Sequence, residues 1–324
     1  MIVRWGLDEL GLLLAELGIS RPLLVTTERF GELELPVATR FSGVRRHAPV
    51  ETVSAAVAAT HGADGLVGLG GGSAIDTAKA VSAETGLSLV AVPTTYAGAE
   101  WTPYFGMRDE AQKRKAGGSG ARTVAIVYEP ELTLGLPLEE TVGTAMNALA
   151  HSAEALYVEG RNAEGDAEAV VGAELIARWL PDTVARPDDL EARTGLLEGA
   201  VHAGKALGLT GLALAHALAQ ALGGRYGLPH GAMNALTLPP TLRFNEPVAP
   251  GAIEQFGRAL ESDDPAARVE ELARLGGFAR LRDFDVPEDE LQLVAAEAVD
   301  RAGARANPRA ASSDDALSLL RSIW

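Results

Sequence analysis

An α/β domain with a parallel sheet, followed by an all-helical domain, is the fold that this sequence predicts. Three observations carry it. Short apolar runs alternate with amphipathic helical stretches as far as Tyr128. One of those runs ends in Gly70, Gly71 and Gly72 and passes directly into a helical composition. From Pro137 onward the strand pattern ceases.

In chain order, residues 7–18 read as an amphipathic helix stopped by Gly18, and Pro22-Leu-Leu-Val-Thr-Thr as a short strand. Residues 50–61 have helical spacing, with Val50, Val53, Val57 and Ala58 on one side. Leu66, Val67 and Leu69 form a buried strand ahead of the glycines, and Leu87–Pro93 and Val124–Tyr128 two more. Such alternation implies a parallel sheet covered on both faces. Between the last two strands, Met107–Arg122 is rich in Lys, Arg, Gly and Ser and reads as a mobile loop or hairpin tip. Helices are expected over 139–160, 164–181, 188–208, 210–223, 251–262, 265–275, 287–303 and 313–323, with the prolines at 187, 229, 239, 240, 247, 250 and 308 between them or at their ends. The expected domains are therefore 1–136 and 137–324.

The chain has 324 residues, enough for two domains with real cores. Its formal net charge of −16 argues against nucleic acid and an anionic membrane surface as partners. The absence of cysteine excludes disulfides, a thiol nucleophile and zinc–thiolate chemistry. No secretory signal is evident at Met1–Gly6, so a cytoplasmic location is the expectation. The uncharged run 206–224 is long enough to raise the question of a membrane span. Thr210, His216, Gln220 and four glycines within it suit a buried helix better.

A strand, a glycine turn and a helix start together make a phosphate site. Glycine lets backbone approach a ligand closely, and the unpaired N–H groups and dipole of the helix favour an anion. The spacing here matches neither Gly-x-Gly-x-x-Gly nor a P-loop. Three consecutive glycines followed by Ser73 at this junction point to a pyrophosphate rather than to a plain turn.

In the helical half, His151 lies four residues after Asn147, so the two share a helix face. His216 and Gln220 repeat that spacing in an otherwise apolar helix, where a polar pair must find partners. His230 follows in the turn Gly227-Leu-Pro-His-Gly231. Taken singly, each histidine reads as a satisfied core residue; together the three could meet around a metal or a substrate. His47, His61 and His202 lie on more polar stretches and receive no role.

The motifs Gly70-Gly-Gly-Ser-Ala-Ile-Asp-Thr-Ala-Lys79, Pro93-Thr-Thr-Tyr-Ala-Gly-Ala-Glu-Trp-Thr-Pro103, Tyr128-Glu-Pro-Glu-Leu-Thr133, Met146–Tyr157 and Leu222–His230 occur in that order. In these the chain resembles the iron-containing alcohol dehydrogenase superfamily, whose fold is that of dehydroquinate synthase. Thr95-Tyr-Ala-Gly98 and Asn147-Ala-Leu-Ala-His151 most resemble its maleylacetate reductase branch. The resemblance implies a Rossmann-like first domain and an active site in the cleft between the domains. It implies that Gly70, Gly71, Gly72, Ser73, Asp76, Thr94, Thr95 and Lys113 bind NADH or NADPH. In metal-using relatives an Asp and three histidines hold a divalent ion, and those positions here are Asn147, His151, His216 and His230.

Two departures stand out. Asn147 removes the one anionic ligand, so no tightly bound divalent metal is expected; if one binds, His151, His216 and His230 would hold it. Gln220 stands where relatives usually carry a second histidine near the nicotinamide, and an amide cannot titrate as an acid near neutral pH. The milder replacement is Ala99, where relatives have serine.

The implied function is hydride transfer to a conjugated C=C/carbonyl of a small, anionic substrate. Asn147, His151, His216, Gln220 and His230 are the candidate catalytic residues, Arg225 and Arg243 candidate anchors for carboxylates, and a homodimer the expected assembly. A metal-dependent alcohol or aldehyde reductase, a dehydroquinate-synthase-like lyase and a non-catalytic nucleotide-binding homologue are the alternatives.

Overall fold

The computed structural model of the protein describes residues 1–109 and 114–324. The chain divides into two compact units: Met1–Thr95 with Ala99–Thr133, and Tyr96–Gly98 with Leu134–Trp324.

The first unit is built in the order β1 (Ile2–Trp5), α1 (Glu9–Glu16), β2 (Pro22–Val25), β3 (Thr39–Phe41), α2 (Val50–Ala58), β4 (Gly65–Gly70), α3 (Gly72–Thr85), β5 (Leu89–Pro93), β6 (Phe105–Asp109), β7 (Arg114–Gly118) and β8 (Thr123–Tyr128). Six of these strands form one parallel sheet, in the order β1-β8-β5-β4-β2-β3. Side chains alternate across it as a pleat requires. Leu24, Val67, Leu69, Val90 and Val92 pack with Leu10, Leu13 and Leu14 of α1. Leu23, Val25, Leu66 and Leu89 pack with Ala56 of α2 and Ala74, Ala78 and Val81 of α3 on the other face. The central strands are the apolar runs that the sequence displays.

Some expectations need correcting. Edge strands β1 and β3 carry exposed or half-buried residues and therefore show no apolar run. The buried face of α2 is Thr52, Val53 and Ala56, and Ala58 is exposed. The basic stretch after β5, by contrast, contains an antiparallel pair, β6 with β7, in agreement with the hairpin expected there.

The second unit is helical: α4 (Leu138–Ala155), α5 (Ala163–Ala185), α6 (Leu190–Thr210), α7 (Leu214–Tyr226), α8 (His230–Asn245), α9 (Pro250–Ala259), α10 (Pro265–Arg274), α11 (Leu291–Val299), α12 (Ala302–Arg305) and α13 (Ser313–Ser322). Pro239 and Pro240 lie inside α8 and Pro181 inside α5, contrary to their expected place at helix ends. Proline in a helix interior loses a hydrogen bond and crowds the preceding turn. Burial offsets this in α8, where every residue from Ala232 to Leu242 is buried and the helix packs on α4, α7 and α10. Among the described residues no single helix is long and apolar enough to cross a membrane. The uncharged run is split between α6 and α7, which meet at 100°.

Candidate active site

Two constellations carry the polar chemistry, one in each unit. In the sheet, β2 leads to β3 on one side, whereas β4, beyond the next crossover, lies on the other side of β2. The order thus reverses between β2 and β4, and the carboxyl ends at such a reversal are where open α/β sheets bind ligands. The glycine turn leaves β4 at this point. Thr26, just past β2, is buried and donates its hydroxyl to Leu69 O at 2.8 Å, tying the two strand ends together.

Each glycine of the turn has its own reason. Gly70 has φ +141°, a conformation L side chains rarely adopt. A Cβ on Gly71 would come within 2.9 Å of Thr95 Cγ2. A Cβ on Gly72 would meet no atom within 4 Å. Packing therefore explains Gly71, whereas Gly72 borders open space at the start of the 14-residue helix α3. Thr94 N donates to Gly70 O at 3.0 Å, and both Thr94 and Thr95 are buried behind the turn. Ser73 Oγ accepts from His47 N at 2.9 Å, which leaves its hydroxyl hydrogen to donate. His47 thus has a backbone role that its side chain does not advertise.

Asp76 faces protein. Its carboxylate accepts from Gly106 N at 3.1 Å and lies 3.6 Å from Lys79 Nζ. Lys79 is 1% exposed, donates to Ala99 O at 2.6 Å, and has its pKa lowered by burial against the opposing charges of Asp76 and Glu100. Glu100 is buried too and accepts from Tyr128 Oη at 2.7 Å. Burial raises its pKa, the hydrogen bond from Tyr128 opposing it. Lys113 lies outside the described residues.

In the helical unit the three histidines do meet. The His151 and His216 rings stack at 4.8 Å between centroids, and His230 lies 5.7 Å from His216. Asn147 sits among them. Its Nδ2 donates to Ala97 O at 2.9 Å, and since a carbonyl can only accept, the amide orientation is fixed. The same nitrogen lies 3.4 Å from His151 Nε2, so that nitrogen accepts and the ring hydrogen sits on Nδ1. Asn147 Oδ1 accepts from Asn234 Nδ2 at 2.6 Å and lies 3.3 Å from His216 Nε2. Asn234 Nδ2 also reaches His230 Nε2 at 3.1 Å.

Glu154 completes the cluster and is fully buried. Its carboxylate accepts from His216 Nδ1 at 2.7 Å, Ala213 N at 2.7 Å and His216 N at 3.1 Å. Those bonds put a hydrogen on His216 Nδ1. Burial, then the neighbouring His216 and His230, push the His151 pKa well below its ordinary value.

Other candidates lie elsewhere. Gln220 is on α7 one turn from His216, half-buried, with no hydrogen bond among the described residues. Arg225 pairs with Glu290 and Glu297, and Arg243 with Glu270. Both guanidiniums are thus paired with carboxylates of the chain itself.

Sequence reading missed Glu154 and Asn234. Glu154 continues the face of Asn147 and His151 at i+7 and i+3, and Asn234 follows His230 by four, so the helical spacing that flagged the histidines also marks these two.

Known proteins resemble the chain over both units. Residues 3–128 match the family model for iron-containing alcohol dehydrogenase, and residues 141–324 that for the C-terminal part of the Fe-containing alcohol dehydrogenase family. Maleylacetate reductase of Sphingobium indicum is 36% identical over 317 residues, 95% of this chain and 90% of that protein. The crystal structure of maleylacetate reductase from Rhizobium sp. strain MTP-10005 superimposes with a TM-score of 0.91 at 31% identity, covering 100% of this chain and 95% of the other. Sulfoacetaldehyde reductase of Bifidobacterium kashiwanohense, solved in complex with NAD+, does so with 0.91 at 25% identity, covering 100% and 96%. With both units matched in sequence and in fold, the chain belongs to the iron-containing alcohol dehydrogenase family of nicotinamide-dependent oxidoreductases.

Proposed function

We propose that the chain is an NAD(P)H-dependent reductase of a small, anionic, conjugated oxo acid, of the kind that its maleylacetate reductase relatives are named for. The observation that carries this reading is the histidine–amide cluster around Asn147 in one unit; the other unit supplies a glycine turn with open space at Gly72.

The turn fits a dinucleotide. Gly72, the first N–H groups of α3 and the Ser73 hydroxyl would hold the pyrophosphate, with Thr94 and Thr95 backing the turn. When bound, the nicotinamide supplies hydride to the electrophilic carbon of the substrate.

The chain's own residues then govern charge and protons. Reduction of a conjugated C=C builds charge on the carbonyl oxygen, and donors already in place stabilise it. His151 carries its hydrogen on Nδ1, which has no hydrogen-bond partner among the described residues. His216 lies between a carboxylate and an amide oxygen, so a second proton on its Nε2 would have an acceptor on each side. That placement makes His216 the proton donor, with Glu154 balancing its charge. Half-buried His230 is the most accessible ring of the three.

The family name implies iron, and the donor set fits a divalent ion poorly. Among the described residues no three His, Asp or Glu side chains are arranged to hold a metal. Asn147 Nδ2 occupies the His151 lone pair and Asn234 Nδ2 that of His230, while Glu154 faces away, toward Nδ1 of His216.

The test is an assay of NADH and NADPH oxidation with maleylacetate, simple aldehydes and no acceptor, beside nucleotide titration of Gly72→Ala. Maleylacetate turnover well above that of aldehydes is expected. Gly72→Ala should fold as the parent does and lose nucleotide affinity. Turnover of aldehydes alone would sink the oxo-acid reading, and nucleotide binding without any turnover would favour the non-catalytic one.

A further inference from the structure

Tyr96, Ala97 and Gly98 fold with the helical unit, although the residues on either side of them belong to the α/β unit. Three anchors hold this tripeptide. Tyr96 N donates to Thr144 Oγ1 at 3.3 Å, Asn147 Nδ2 donates to Ala97 O at 2.9 Å, and Arg193 Nη1 donates to Tyr96 Oη at 3.2 Å. Gly98 has φ +71°, and a Cβ there would sit 3.3 Å from Gly204 Cα and 3.5 Å from His151 Nδ1. The tripeptide therefore lies directly against the imidazole of His151.

Arg193 is the unexpected member. It is 1% exposed and heads the largest fully buried side chains. Among the described residues its partners are all neutral oxygens: Tyr96 Oη, Thr141 Oγ1 at 3.1 Å and, from Nε, Pro187 O at 2.9 Å. Burying a guanidinium without a carboxylate is costly, and an apolar side chain would fill the same volume more cheaply. What a guanidinium offers is a rigid planar fork that holds several acceptors in fixed directions. Here it holds the hydroxyl of Tyr96 to α4 through Thr141 and to the turn between α5 and α6 through Pro187.

We infer that Arg193 is a positioning residue for the chemistry proposed above: through Tyr96 it fixes the Ala97 carbonyl, which dictates the orientation of the Asn147 amide and hence the hydrogen positions on the histidine rings. The causal chain is short. An Ala97 carbonyl held in place demands Nδ2 of Asn147, which turns Oδ1 toward Asn234 and His216 and Nδ2 toward His151 Nε2. If the carbonyl wanders, the amide can flip, and His151 and His216 then face the opposite polarity. This inference rests on the reductase reading only for its kinetic consequence; the ring tautomer is independent of it.

The experiment is Tyr96→Phe, which removes one hydroxyl and keeps the ring, with Arg193→Lys as a second variant that keeps the charge and loses the fork. Long-range 1H–15N spectra of protein labelled in its six histidines read the hydrogen positions directly. The parent should show His151 as the Nδ1–H form, and both variants a mixture. In turnover, each variant should lose about tenfold in kcat with KM for the nucleotide unchanged, equivalent to about 1.4 kcal/mol. Combining Tyr96→Phe with Asn147→Ala should add nothing to the loss from Asn147→Ala alone, because both act through one amide. Unaltered ring signals and kcat, with only a lower melting temperature, would overturn the inference. Responsive rings in an inactive parent would uphold positioning and reject the reductase reading. Active enzyme with unresponsive rings would do the reverse.

Discussion

Glu154 Oε2 lies 2.7 Å from Nδ1 of His216, in a site where neither side chain is more than 1% exposed. The same carboxylate caps the start of α7 through Ala213 N and His216 N, so ring and helix are held by one group. Glu154→Gln keeps an acceptor for the backbone and removes the carboxylate charge beside Nδ1 of His216. A charge-assisted bond contributes about 1.5–3 kcal/mol, so kcat should fall by roughly ten- to a hundredfold while nucleotide affinity holds. Steady-state kinetics on a correctly folded variant check this; an unchanged kcat would leave Glu154 as a helix cap only.

His151 predicts a pH dependence of stability. Its pKa in the folded protein lies below the ordinary 6.5, so below that pH the unfolded chain binds the extra proton and the folded one does not. Its contribution is complete above 6.5 and is lost as pH falls toward the folded-state value, at up to about 1.4 kcal/mol per pH unit. The groups facing it are His216 and His230, with Glu154 behind His216. Denaturant unfolding of His151→Gln between pH 7 and 5 should show a flatter profile than the parent. Parallel profiles would assign the acid sensitivity elsewhere.

Asn147→Asp separates the amide network from a metal site. A carboxylate would oppose the Ala97 carbonyl and could not donate to His151 Nε2. Without added metal the variant should lose about 1–3 kcal/mol of stability, the cost of leaving a buried acceptor unpaired. If the three imidazoles accept an ion once an anionic ligand is supplied, divalent metal should restore the melting temperature. Full stability in the presence of chelator would show that the amide orientation carries no weight.

Gln220 is half-buried, one turn from His216. Gln220→His adds a group titrating near pH 6.5, so turnover from pH 5 to 9 should gain an ionisation while nucleotide affinity stays the same. Superimposable pH profiles would place Gln220 away from the chemistry.

Nucleotide choice can be tested at the end of β2. Thr27 precedes the turn Glu28–Phe30, and the Arg29 guanidinium sits 4.9 Å above the Phe30 ring. Thr27 puts no carboxylate where a 2′-phosphate would be repelled, and Glu28 and Arg29 offset one another. NADH and NADPH should bind within about tenfold, or about 1.4 kcal/mol. Fluorescence titration showing a hundredfold preference would mean that this strand end reads the ribose.

Much of this was legible in the residues because burial leaves a regular mark. Strands β2, β4, β5 and β8 are apolar runs since both faces of the sheet are covered, whereas β1 and β3 are edge strands and look like loops. Helix α8 escaped notice because Pro239 and Pro240 argue against a helix locally, and only its packing on three other helices overrides them. The histidines stood out as polar residues in apolar helices. The role of Arg193 did not, because its partner Tyr96 lies 97 positions away in sequence and no local spacing joins them.

The pairing of β1 has a consequence for how the molecule is made. Ile2 lies beside Ala125 and Trp5 beside Tyr128, and among the described residues β1 has no other neighbour in the sheet. β1 can therefore be seated in the sheet only after the strand that ends at Tyr128 has been made, although more than a hundred residues of chain separate the two. Until then its row of unpaired backbone groups is open to pairing with another chain. Ordering such distant contacts slows folding, so the α/β unit depends on that early segment remaining unpaired while the rest of its sheet is synthesised.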